Sequence, residues 1–140
     1  MVLDVGPALS CDVLEEMSGS WHNRNKGPEA AVLLDKMLFN LQNVGFVHML
    51  LPKAPIIHVY RDDVRDAALQ VFRRQFDVGT APWSYRLEDI VHYFKVYRKI
   101  MAHWDKVLPN RVVHVRYEDF ARDPEGVARE IVDVVGLEWE

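Results

Sequence analysis

The sequence predicts an α/β fold, a small parallel sheet with flanking helices, and three observations carry that prediction. Two short runs rich in β-branched residues, PIIHVY and RVVHVRY, read as buried strands. Each is followed by a segment whose apolar residues recur at helical spacing. A third helical segment, far longer, lies between them. Strands alternating with helices give a parallel arrangement rather than hairpins.

The bulk numbers narrow the class. A chain of 140 residues, 49% hydrophobic and 27% charged with four Trp, reads as one globular domain over 1–140. A net charge of −4 argues against nucleic-acid binding, which needs an excess of Lys and Arg on one face. The single cysteine, Cys11, excludes an internal disulfide and a cysteine-rich zinc site. MVLDVGPALS has no basic start and no sustained apolar run, so the expectation is a soluble, cytoplasmic protein away from membranes.

In chain order, LSCDVLEEM (9–17) suits a short helix with Ser10 or Asp12 as cap, and SGSWHNRNKGP reads as a surface loop. Together they make residues 1–33 an N-terminal helix and loop. From Glu29 to Leu51 the signals conflict. Either Pro28 opens one long helix, or AAVLLD is a short buried strand, ended by Lys36, with a helix from about Phe39 to Leu51. Pro52 stops the helix in both readings. After PIIHVY, a stripe of Val64, Ala68, Val71, Phe72 and Phe76 marks a helix, and VGTAPWS a turn-rich connector. Leu87, Ile90, Phe94, Tyr97, Met101 and Trp104 lie along one face of a long helix ending near Val107, before Pro109-Asn110. Asp123-Pro124-Glu125 is a helix start with cap, proline and acidic first turn, and Gly136 suits that helix's end.

The stretch HVYRDDVRDAALQVF (58–72) raises a chemical question. A strand feeding a helix N-terminus presents free backbone N–H groups, and Arg61 adds a fixed positive charge, which together suit a phosphate. Asp62 and Asp63 oppose that, since they repel anions and can cap the helix themselves. Asp62 or Asp66 can also pair with Arg61. The six histidines suggest no metal site. None has HExxH spacing, His92 and His103 stand too far apart on one helix to share an ion, and His48 and His58 read as core-edge residues.

Taken in order, these segments carry a family likeness. DKM with an N-x4-G helix, a strand ending in RD, a long helix carrying AHW, then RYED and DPEG, resemble the C-terminal part of the sulfotransferase family, in its bacterial and tyrosylprotein-type branch. The resemblance covers about residues 34–140. It implies a fold like a P-loop kinase and transfer of a sulfuryl group from 3′-phosphoadenosine 5′-phosphosulfate to a hydroxyl or amine. That chemistry, like phosphoryl transfer, rests on positioning and electrostatic stabilisation.

The resemblance places Lys36 as the catalytic cation on the departing bridging oxygen. It places Arg61 and Gln70 as binders of the cofactor's 3′-phosphate, with Gln70 where the family has serine and no proline after the RD pair. No GxxxxGK[ST] or P-R-S-G-T-like loop occurs, so the 5′-phosphosulfate loop is absent from the chain and the plan reads as truncated. The RYED segment reads as a structural turn. Independent catalysis is therefore in doubt, and three roles follow. One is a sulfotransferase derivative holding an adenosine 3′,5′-bisphosphate-type nucleotide. Another is a non-catalytic module pairing with itself, as a homodimer, or with another protein chain. The third is one part of a split enzyme.

Overall fold

The computed structural model describes residues 34–37, 39–74, 76 and 79–139. The expected helix over 9–17, the loop after it and most of the disputed 29–35 segment lie outside these residues. The chain divides into two units, Met1–Ala54 and Pro55–Glu140.

In the first unit, 34–37 are irregular and exposed, a 3₁₀ turn covers Asn40–Gln42, and helix α1 spans Val44–Leu50. One long helix from Pro28 is thus ruled out, and of AAVLLD only Leu34 and Asp35 are described, neither in a strand. The helix expected from Phe39 starts late because Asn40 and Asn43 compete with the backbone for hydrogen bonds and suit turns better than helix interiors. Asn40 indeed spends its amide on Asp35, at 3.2 Å. Leu51 and Pro52 end α1 where expected.

The second unit holds the α/β core. Strand β1 is Ile56–Tyr60, helix α2 is Val64–Arg73, a 3₁₀ turn follows at Pro82–Tyr85, and helix α3 is Leu87–Val107. Strand β2 is Val112–Arg116, succeeded by helices α4 (Tyr117–Arg122) and α5 (Pro124–Val134). The two strands pair in parallel, from Ile56 opposite Val112 to Tyr60 opposite Arg116. A small parallel sheet with flanking helices is therefore the architecture, as the alternating pattern predicts.

Two expectations need correcting. The stripe of α2 stops at Arg73, so Phe76 lies beyond the helix. Phe76 serves the connector instead, where its carbonyl accepts the Tyr85 hydroxyl. RYED is not a turn alone: Tyr117 opens α4, whose first turn carries Glu118 and Asp119. Acidic residues there suit the positive end of the helix dipole.

Side chains alternate across the strands, so Ile57, Val113 and Val115 share one face, which Val127, Ile131 and Val134 of α5 approach across a cleft. The opposite face carries His58 and His114, which α3 meets with Tyr97 and Asp105. Among the described residues of this unit, Ala81, Ile90, Met101, Val112 and Val115 are the buried apolar ones, and Ile90 is the largest side chain with no exposed surface. Trp83 stacks on Tyr93 with centroids 3.7 Å apart, pinning the connector to α3. Among the described residues, no helix is long and apolar enough to cross a membrane.

The start of α5 shows how local chemistry fixes a boundary. The Asp123 carboxylate accepts the Gly126 N–H at 2.9 Å, and a Cβ on Gly126 would sit 2.2 Å from that carboxylate. Only glycine leaves the cap undisturbed. Asp123→Ala is expected to destabilise the chain by about 1 kcal/mol. Denaturant titration of the two chains checks this, and equal midpoints would show that the cap contributes nothing.

Candidate functional site

The turn from β1 to α2 is built from acids and arginines in alternation. Asp63 is the N-cap of α2: its carboxylate accepts the Arg65 backbone N–H at 2.9 Å and also takes the Arg65 guanidinium. The Arg65 side chain, then its backbone N–H, holds the Asp63 carboxyl down at about 2. Its negative charge is thus permanent near neutral pH, and it sits where an incoming anion would find the helix N–H groups.

Arg61 follows β1 and points back over α2. Its NH1 donates to Asp66 Oδ2 at 2.7 Å, and its guanidinium lies 3.9 Å from the centre of the Tyr117 ring. Both partners of that ion pair are about one-third to two-fifths exposed. Gln70, one turn further along α2, directs its amide N–H to the other oxygen of Asp66, at 3.5 Å. The structure therefore brings Arg61 and Gln70 together around Asp66.

Asp62 is also spoken for. Arg116 NH1 donates to it at 2.7 Å, while Arg116 Nε and NH2 grip Asp119 at 2.8 and 2.6 Å. Bonds to Asp119, then Asp62, raise the Arg116 guanidinium's pKa, and Arg116 in turn lowers that of Asp119. The Asp62 N–H reaches toward Glu118 at 3.4 Å. The strand ends are thus tied together by a network that links β1–α2 to β2–α4.

Lys36, the third candidate, lies in the first unit within the irregular segment 34–37, where it is exposed. Among the described residues, no group of three or more His, Cys, Asp or Glu is placed to hold a metal ion.

A second polar cluster was not legible as a site in the sequence. His58 Nδ1 and His114 Nδ1 stand 2.8 Å apart on paired strand positions. His58 Nε2 meets the Tyr97 hydroxyl, and His114 Nε2 meets Asp105 Oδ1 at 2.8 Å. Burial first, then the neighbouring His114, pushes the His58 pKa down to about 4, against a smaller upward pull from Asp105. Burial likewise raises the Tyr97 hydroxyl. One signal could have found the pair: IIHVY and VVHVR place a histidine at the same step of two matching strands.

Comparison with known proteins agrees with the order of motifs. A family model described as "Sulfotransferase family" matches residues 8–140, beginning well before the first recognisable motif. A protein of Aquifex aeolicus (strain VF5), described as an uncharacterized protein, is 32% identical over 110 residues. That similarity covers 77% of this chain but 14% of the relative, so the chain spans only a small part of that protein's length. No solved structure matches the chain.

Proposed function

This chain belongs to the sulfotransferase family, and from that membership we propose a sulfotransferase-like protein derived from enzymes that use 3′-phosphoadenosine 5′-phosphosulfate, without independent catalysis. In this reading the β1–α2 turn descends from a 3′-phosphate subsite, with Arg61 and Gln70 as its donors. Lys36 is the descendant of the cation that steadies the bridging oxygen of the donor. In this reading the order of motifs puts the chain's origin in the bacterial and tyrosylprotein-type branch.

One observation carries the reading. The Asp66 carboxylate takes Arg61 at 2.7 Å and Gln70 at 3.5 Å, so an internal anion holds both candidate phosphate donors. The capping carboxylate of Asp63 covers the helix start in the same way. As placed, these residues do not fit a nucleotide phosphate, and binding requires Arg61 to leave Asp66. Exchange of one anion for another at a half-exposed guanidinium yields little net free energy. The nucleotide's affinity is accordingly weak.

Calorimetric titration with adenosine 3′,5′-bisphosphate at low salt tests this. We expect a dissociation constant of about 1 mM or weaker, equivalent to roughly 4 kcal/mol or less, with the residual heat lost in Arg61→Ala. Micromolar binding by the unaltered chain would overturn the proposal that Asp66 closes the subsite. So would millimolar binding unaffected by loss of Arg61.

A further inference from the structure

We propose that Tyr97, His58, His114 and Asp105 form a proton-counting latch: the hydrogen-bond chain joining β1, β2 and α3 closes with no added proton or one, and opens with two. The argument begins at Asp105. An ionised carboxylate only accepts, so the 2.8 Å contact requires His114 to carry a proton on Nε2. In neutral His114 this leaves Nδ1 as an acceptor. His58, 2.8 Å away, must then donate from Nδ1. With that proton placed, neutral His58 has a lone pair on Nε2, which the Tyr97 hydroxyl fills by donating. Three bonds run in one direction, and each tautomer is fixed by the one before it.

One extra proton fits this chain. It enters at His58 Nε2, the Tyr97 hydroxyl turns to accept it, and the Nδ1 contact and the Asp105 contact are unchanged. A second proton does not fit. On the imidazoles it has only His114 Nδ1 to occupy, and two N–H groups then face each other across 2.8 Å with no acceptor between two cations. The strand-to-strand contact must break.

The surroundings favour the state with no added proton near neutral pH. The groups facing His58 are Tyr60, stacked on it from the same strand, His114 from β2, and Tyr97 with Asp105 from α3. Arg98 of α3 acts on Tyr97 as a further positive charge, and Arg116 of β2 is neutralised by Asp62 and Asp119. Asp105 alone among these favours a cation at His58, and burial with His114 outweighs it. Because the folded chain holds His58 at about 4 against an ordinary 6.5, the unfolded chain takes up the proton first. The cost of placing the first proton at His58 is therefore absent above about pH 6.5 and grows as pH falls toward 4, while the contacts stay closed until a second proton arrives.

Two measurements on the 140-residue chain test the latch. Imidazole ¹⁵N–¹H correlation spectra near pH 7 should show His58 protonated on Nδ1 and His114 on Nε2. Finding His58 protonated on Nε2, or either ring averaging between tautomers, would sink it. Denaturant titrations at pH 7 and 4.5 form the second test. After discounting for solvent screening, the unaltered chain should lose on the order of tenfold more of its folding constant across that range than His58→Phe does. Equal losses would overturn the proposal, and so would loss of the His58 Nδ1–H correlation on acidification with the first imidazole proton rather than with the second. Should His58→Phe fail to fold, the tautomers in the unaltered chain suffice to uphold or reject the latch.

Discussion

Replacing Ile90 with Ala is expected to destabilise the chain by about 2–5 kcal/mol, the range for truncating a fully enclosed aliphatic side chain. Ile90 has no exposed surface, and it is the largest side chain of which that is true among the described residues. It sits in the first turn of α3, close in sequence to the wholly buried Ala81 and the nearly buried Ser84 of the connector. Removing its three outer carbons leaves a void in a fully enclosed part of the packing, and the cost depends on how far the surroundings can close on it. A domain of this kind tolerates few such losses, since total stability is of order 5–15 kcal/mol. Urea titration of both chains measures the change. A loss under about 0.5 kcal/mol would mean that the site collapses freely and that the packing around Ile90 is loose.

The second large effect is functional. Asp66→Ala is expected to raise affinity for adenosine 3′,5′-bisphosphate about tenfold, or roughly 1.4 kcal/mol, while slightly weakening the fold. Two causes add. Arg61 and Gln70 lose the carboxylate that occupies them, and a negative charge disappears from beside the incoming phosphate. Against this, α2 loses the acidic residue of its first turn, at a cost of about 0.3–1 kcal/mol. Opposite signs in affinity and stability distinguish a blocked ligand site from an ion pair that merely supports the turn. Calorimetry and denaturant titration on one preparation read both. Unchanged affinity would show that Arg61, once released, does not meet the nucleotide.

What the sequence made legible follows from how locally each feature is encoded. The bounds of α3 and the start of α5 are written in a few neighbouring residues: the Leu87-to-Trp104 spacing, and Asp123 followed by Pro124. Both helices stand where those residues place them. The strands were legible because β-branched residues crowd into two short runs. The RYED helix was not, because six residues are too few for a periodic stripe to emerge. At the β1–α2 turn, sequence could bring Arg61, Gln70 and two possible acidic partners into view, but could not choose between Asp62 and Asp66. The choice depends on Arg116, which arrives from the far strand and claims Asp62. The histidine chain was hidden for the same reason: its members come from three elements, and each alone resembles an ordinary side chain at the edge of a core.

The paired imidazoles also bear on how the strands avoid misalignment. IIHVY and VVHVR are nearly interchangeable in their apolar character, and a slip of two residues would keep every side chain on its own face. Hydrophobicity therefore penalises such a slip weakly. His58, however, would then face Val112, which offers it no polar partner, or Arg116, a fixed positive charge beside a ring that burial keeps neutral. A single polar contact between two apolar strands thereby discriminates the correct alignment from its nearest competitors. Its value lies as much in the pairings it forbids as in the one it holds.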